Sequence, residues 1–192
     1  YQTRKLIVAI GYYDQANLMN IPGEDLPKVS HYYKDAHPFY QRDVAIIGAG
    51  PAGLGAASVL AQHGYKVTLH EQQKRPGGAM NLIPDFRLNK KVVRADVGFL
   101  KRLGEVEFNH GKAVTSPEAL LAKQDAVVVC AGVSEPIKLN IPGEDLALPW
   151  QAFLENQKQF KLKGRKVAVL GGGAVAADCA TTAKRLGAAS VE

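Results

Sequence analysis

Nowhere in these 192 residues do apolar side chains run on for 18 positions, so the sequence predicts no membrane span. No signal peptide is visible. The chain opens on Tyr1 rather than Met, which reads as a start that is not the native one. Cysteine is scarce: Cys130 and Cys179 form no CxxC, no metal-ligand spacing and no iron–sulfur run. A reducing compartment, the cytoplasm, is the expected setting, and dithiol chemistry of the thioredoxin-reductase kind is not expected. No metal site is expected either. Positive charge is in excess, with a net charge of +6 and a pI of about 9.3. The basic residues are nevertheless scattered. The densest run, "KQFKLKGRK" at 158–166, has acidic and apolar neighbours, so it reads as a solvated helix end and linker rather than a nucleic-acid surface.

What is present begins with a repetition. "NIPGEDL" stands at 20–26 and again at 140–146. Before each copy comes a β-branched run ending in Gly, "KLIVAIG" (5–11) and "DAVVVCAG" (125–132). Such runs fit buried parallel strands leaving a sheet. After each copy comes a strand that enters a glycine-rich turn and then a helix, "DVAIIGAGPAG" (43–53) and "KVAVLGGGAVA" (166–176). "IPGED" itself is a turn, with Pro fixing φ and Gly permitting positive φ. The repeat therefore marks the crossing from one nucleotide-binding unit to the next. The sequence predicts an α/β protein with Rossmann-type parallel sheets in three pieces. Residues 1–42 form the tail strand and linker of a preceding unit, 43–146 a dinucleotide-binding unit, and 147–192 the head of another, stopping as its second strand begins.

The first glycine motif, "VAIIGAGPAGLGAASVLAQHGYKVTLHE" (44–71), meets each demand of a dinucleotide site. Val44 to Ile47 read as a strand. Gly48 permits the tight turn, Gly50 a close approach by pyrophosphate, and Gly53 close packing of the following helix on the strand. A helix over 51–63 aims its N-terminal amides at the phosphates. Gly64 ends it. Lys66 to Leu69 form the next strand, and Glu71 is placed to accept hydrogen bonds from a ribose diol. The second motif repeats the logic with Gly171, Gly173 and Ala176, where Ala sets the helix slightly off its strand. Between them, Val92, Val93, Val97, Leu100 and Leu103 recur at helical spacing within 89–104. The loop "RPGGAMNLIPDFRL" (75–88) suits a cover for a long dinucleotide or an ordinary surface loop.

Taken together, "GAGPAG…E…PGG…IPDFRL" resembles the flavin domain of the glutamate synthase small-subunit family and of dihydropyrimidine dehydrogenase, over about 43–192. The resemblance implies FAD at the first motif. There Gly48, Ala49, Gly50, Pro51, Ala52 and Gly53 would hold the pyrophosphate and Glu71 the ribose. Gly78 and Ala79 would touch the cofactor, Arg87 would contact FAD, and Val114 would fall on a strand beside the adenine. At the second motif it implies NAD(P)H, held by Gly171, Gly172, Gly173, Ala174 and Val175. The family normally carries Asp-Thr after the last glycine of that turn, so Ala174-Val175 is a departure, whereas Asp178 and Cys179 match. The residues that choose NAD or NADP would fall past Glu192, as would the family's C-terminal flavin-binding half.

The implied reaction is hydride transfer from NAD(P)H to FAD, then electron delivery to an acceptor domain or subunit of iron–sulfur type. A non-catalytic nucleotide-binding or scaffold module is the alternative. Residues 1–42 are similar to the bacillithiol-disulfide reductase group, which adds a low-molecular-weight disulfide reductase as a third reading. Tyr32, Tyr33, Phe39 and Tyr40, with His31 and His37, read as linker aromatics packed on a sheet edge.

Overall fold

The computed structural model describes residues 42–132 and 142–192, together with Pro22 and the strand Val29–Ser30. The expected strand at 5–11, the first copy of the repeat apart from Pro22, and the aromatic cluster lie outside the described residues. Those residues fall into two compact units, one built from 42–80 and 91–132 with the strand at 29–30, the other from 81–90 and 142–192.

The first unit is a five-stranded, all-parallel sheet. Its strands are β1 (Val29–Ser30), β2 (Val44–Ile47), β3 (Val67–Glu71), β4 (Val106–His110) and β5 (Ala126–Val129), in spatial order β1-β5-β2-β3-β4. Strand β2 lies in register with β3, Val44 opposite Val67, and with β5, Val44 opposite Ala126. Strands β2 and β5 are buried along their whole length, as expected of a parallel sheet covered on both faces. The pleat divides the core. Val44, Ile46, Val67, Leu69 and Val128 pack with Leu54, Ala57 and Leu60 of α1 (Pro51–Gln62) and Leu100 of α2 (Lys90–Leu103). Ala45, Ile47, Val127 and Val129 face the other way, toward Leu120 and Leu121 of α3 (Pro117–Leu121) and Val114. Each fully buried aliphatic side chain contributes about 1.5–3 kcal/mol of apolar burial.

Helix α1 begins with Pro51 in its first turn, where the missing N–H costs nothing. It ends at Gly64, whose φ of 81° allows the Gly64 N–H to reach Ala61 O while Tyr65 N–H reaches Leu60 O. Helix α2 buries Val93 and Leu100. Val92, placed on the apolar stripe from its spacing, is instead 47% exposed, because it sits about 100° around the helix from Val93.

The second unit is smaller. Strands β6 (Lys166–Val167) and β7 (Ser190–Val191) pair in parallel. The ladder continues through Glu192 N–H to Val167 O at 3.0 Å and Val169 N–H to Glu192 O at 2.7 Å. The ladder stops at Val169, and the next residue, Leu170, is 70% exposed. Helix α4 (Trp150–Glu155) buries Leu154, and α5 (Ala174–Arg185) buries Cys179 and Ala183. In the second "IPGED" turn Gly143 adopts a φ of 82° before a short 3-10 turn over Glu144–Leu146.

Candidate cofactor-binding sites

The first glycine turn is shaped by contacts within the chain. A Cβ on Gly53 would stand 1.8 Å from Gly48 O, and one on Gly48 would stand 2.3 Å from Cys130 O. Both distances are far inside any real contact, so neither position tolerates a side chain. The peptide of Ala49 is gripped from two directions. Its N–H donates to Glu71 Oε2 at 2.9 Å, and its carbonyl accepts the N–H of Gly77 at 2.7 Å. The other Glu71 oxygen accepts the N–H of Gln73 at 2.8 Å. Glu71 is 7% exposed at the end of β3. Gly78 then lies face to face with Gly50: its Cβ position is 2.9 Å from Gly50 Cα.

What this turn leaves open is the start of α1. Gly50 caps the helix without a side-chain hydrogen bond, and the first turn holds no acidic residue. Helix α5 begins in the same way at Gly173. Helix α3 shows the contrast: the Ser116 hydroxyl accepts the N–H of Ala119 at 3.4 Å, and Glu118 stands in its first turn. A helix start that satisfies its own amides leaves nothing for a ligand, whereas α1 and α5 keep theirs available to phosphate. A cradle of backbone amides backed by glycines, with a carboxylate at the end of the next strand, fits the ADP half of a dinucleotide.

At the second turn the glycines have a different reason. Gly171 adopts a φ of 129°, and its Cβ position meets Ala176 Cβ at an ordinary 3.5 Å. A Cβ on Gly172 or Gly173 would meet nothing within 4 Å. Ala174 and Val175 are exposed, Val175 by 40%.

The remaining expected residues are placed as follows. Gly78 and Ala79 begin a short 3-10 turn, Gly78–Asn81. Val114 stands in the segment after β4, four residues past its last residue, and not on a strand as expected, because the ladder with β3 ends at Glu71–His110. Arg87 pairs with Asp178: its Nη1 donates to Oδ1 at 2.8 Å, with the Asp178 side chain 7% exposed. The sequence singled out both residues and gave no sign that they meet. Beside them the Arg185 guanidinium sits 4.0 Å from the centre of the Phe86 ring. Lys90 bonds the carbonyl of Ile83, and burial holds its ammonium below the usual lysine range against the pull of Asp85 and Asp178. Gly77, whose amide closes the grip on Ala49, was also missed. The "PGG" pattern was its signal.

Burial shifts two groups near the first turn toward their neutral forms. Burial pushes the Cys130 thiol up to about 12. Burial also lowers His70, on β3, with Glu107 opposing the shift. Among the described residues no His, Cys, Asp and Glu cluster could hold a metal, and no helix is long and apolar enough to cross a membrane.

The parallel sheet and its open glycine turns define a dinucleotide-binding protein of the Rossmann class. More narrowly, residues 42–192 match the pyridine nucleotide-disulphide oxidoreductase family, and the chain belongs to it. Members of that family use FAD and NAD(P)H. The chain is 38% identical over 160 residues to the NADP(+)-dependent formate dehydrogenase subunit beta of Moorella thermoacetica, covering 78% of this chain and 23% of that one. It is 36% identical over 169 residues to the glutamate synthase [NADPH] small chain of Mycobacterium tuberculosis, covering 77% of this chain and 34% of that one. The expected likeness to the glutamate synthase small chain is thereby met. Among solved structures, a 2-naphthoyl-CoA reductase complex superposes with a TM-score of 0.66 at 24% identity, over 78% of this chain and 23% of that one, which shows the fold. The chain thus spans about a quarter to a third of these proteins.

Proposed function

We propose that the chain is the flavin-binding unit, and the opening of the pyridine-nucleotide unit, of an NAD(P)H oxidoreductase that passes electrons through FAD to an acceptor in another segment or subunit. The observation that carries this reading is the pre-formed turn 48–53, gripped at Ala49 and open at the start of α1. FAD supplies the hydride-accepting chemistry when bound. The chain's part is to hold and orient it. The α1 amides of Ala52 and Gly53 face the pyrophosphate, Glu71 uses its remaining lone pairs on the ribose diol, and Gly78 and Ala79 lie against the cofactor. The start of α5, with Gly171 to Val175, receives the NAD(P)H phosphates.

The names of the relatives, an NADPH-dependent small chain and a formate dehydrogenase subunit, support a protein that works beside partner subunits. An iron–sulfur acceptor would lie in another segment or subunit, since Cys130 and Cys179 are free and have no cluster-ligand spacing. Reduction of a low-molecular-weight disulfide, the third reading, would have to proceed without a protein dithiol. The test is reconstitution of the purified chain with FAD, followed by anaerobic addition of NADPH or NADH. A retained visible flavin band that bleaches on addition supports the proposal. A chain that keeps no flavin, and shows no thermal shift with it, leaves a scaffold module as the reading.

A further inference from the structure

Resting on that reading for the existence of a partner, we infer that the acceptor segment or subunit docks on the outer face of α2, and that it docks with an acidic helix. Two adjacent rows run along that face at helical spacing, Lys91-Arg94-Gly98-Lys101 and Val92-Ala95-Phe99-Arg102. Every residue in them is exposed except the half-buried Gly98. The side that serves the core is separate. Val93 and Leu100 are buried there, and Val97 and Leu103 pack against the cluster that holds Leu100.

Charge complementarity names the occupant. The two rows hold four basic residues and no acid, and Asp96, the only acid of α2, lies outside them. Helix α1 of the same unit carries no charge at all. Beside the cations stand Val92, 47% exposed, and Phe99, 51% exposed. The Arg102 guanidinium lies 5.7 Å from the centre of the Phe99 ring, so cation and ring present one combined surface. A phosphate backbone matches the cations and leaves the apolar residues uncovered. A lipid surface needs a broad apolar face to enter, and here most of the large apolar residues of α2 are turned to the core. An acidic amphipathic helix matches both rows.

Gly98 adds a reason for close approach. Glycine weakens the middle of a helix, and its neighbours in the chain do not require it: a Cβ there would meet nothing within 4 Å. Ala95 in the next row is also small. The middle of the face is therefore low, while its ends carry the long side chains of Lys91, Lys101 and Arg102. Small residues at that point admit a crossing helix to short range.

The probe is a fluorescein-labelled helical peptide with Leu and Glu along one face, titrated with the wild-type chain and followed by anisotropy. Binding should weaken about tenfold for the counterpart with glutamine in place of glutamate, and should weaken between about 0.05 M and about 0.3 M salt. Arg94→Glu/Arg102→Glu and Phe99→Ser should each cut affinity about tenfold. Their unfolding midpoints should hold, since all three side chains lie at the surface. Gly98→Met should hold or raise the midpoint, methionine being the better helix former, and yet weaken binding. A peptide affinity that these variants leave unchanged overturns the assignment. So does tighter binding through the same residues to a DNA duplex or to vesicles containing phosphatidylglycerol, or self-association that the variants abolish. Retention of FAD is measured beside each titration. A chain that keeps no flavin but binds the peptide through α2 defeats the proposed function and supports the docking face. A chain that keeps FAD and binds no peptide defeats the docking face alone.

Discussion

The Cβ position of Gly53 lies 1.8 Å from the carbonyl oxygen of Gly48, so helix α1 and the strand exit before it are in backbone contact. No side-chain rotation can relieve a clash with a carbonyl.

Gly53→Ala should therefore destabilise the first unit by about 3 kcal/mol or more, because the helix must move off the strand. Gly172→Ala is the matched control. Its Cβ would meet nothing within 4 Å, so its stability should stay within about 0.5 kcal/mol of wild type. Thermal unfolding of both variants measures the difference. Equal midpoints would mean that the first turn is not packed as described.

On the proposed reading Glu71 has two tasks, holding the Ala49 amide and binding the ribose, and two variants separate them. Glu71→Ala orphans the buried N–H of Ala49, which costs about 1–3 kcal/mol, and weakens FAD binding by a similar amount through the lost charge-assisted bonds. Glu71→Gln keeps one oxygen for Ala49 and puts an NH2 where the Gln73 N–H now donates. It should recover most of the stability and little of the affinity. Calorimetric unfolding with and without FAD checks this. An unchanged FAD affinity in both variants would remove Glu71 from the ribose.

The continuous part of this design was legible in the sequence. Strand β2, the glycine turn, α1, Gly64 and β3 follow one another within 30 residues, and each leaves a local mark in residue type and spacing. Contacts between distant positions leave none. Asp178 sits in an alanine-rich stretch that hints at a buried charge, but its partner is 91 positions away. Strand β1 has two residues, too few to show any alternation. Val114 was misplaced because a β-branched residue after "HGK" looks like a strand, whereas the ladder had already ended at His110.

Cys130 should resist alkylation in the native protein. With its thiol raised from the ordinary 9.0 to about 12, the folded chain holds no appreciable thiolate at pH 8. Maleimide labelling there should await unfolding. The same shift has a sign for stability. The folded state keeps a proton that the unfolded state loses, so this contribution is complete below about pH 9 and is lost as pH rises toward 12. Mass spectrometry after timed labelling reads the first effect. Rapid labelling of Cys130 under native conditions would contradict its burial.

His70 acts at the other end of the scale. Its folded value lies below the ordinary 6.5, so the stability it contributes is present above that pH and is lost as pH falls through it. His70→Gln should show a smaller drop in unfolding midpoint between pH 8 and pH 5 than wild type, since glutamine has no proton to gain. Parallel acid profiles would place the sensitivity elsewhere.

Helices α1 and α5 begin without a capping side chain or an acid in the first turn, unlike α3. On the proposed reading, coenzyme phosphates would complete these two helix starts, so binding would add to the architecture as well as to the chemistry. A chain with both sites filled would then outlast one without, so the population that persists would be enriched in chains carrying coenzyme.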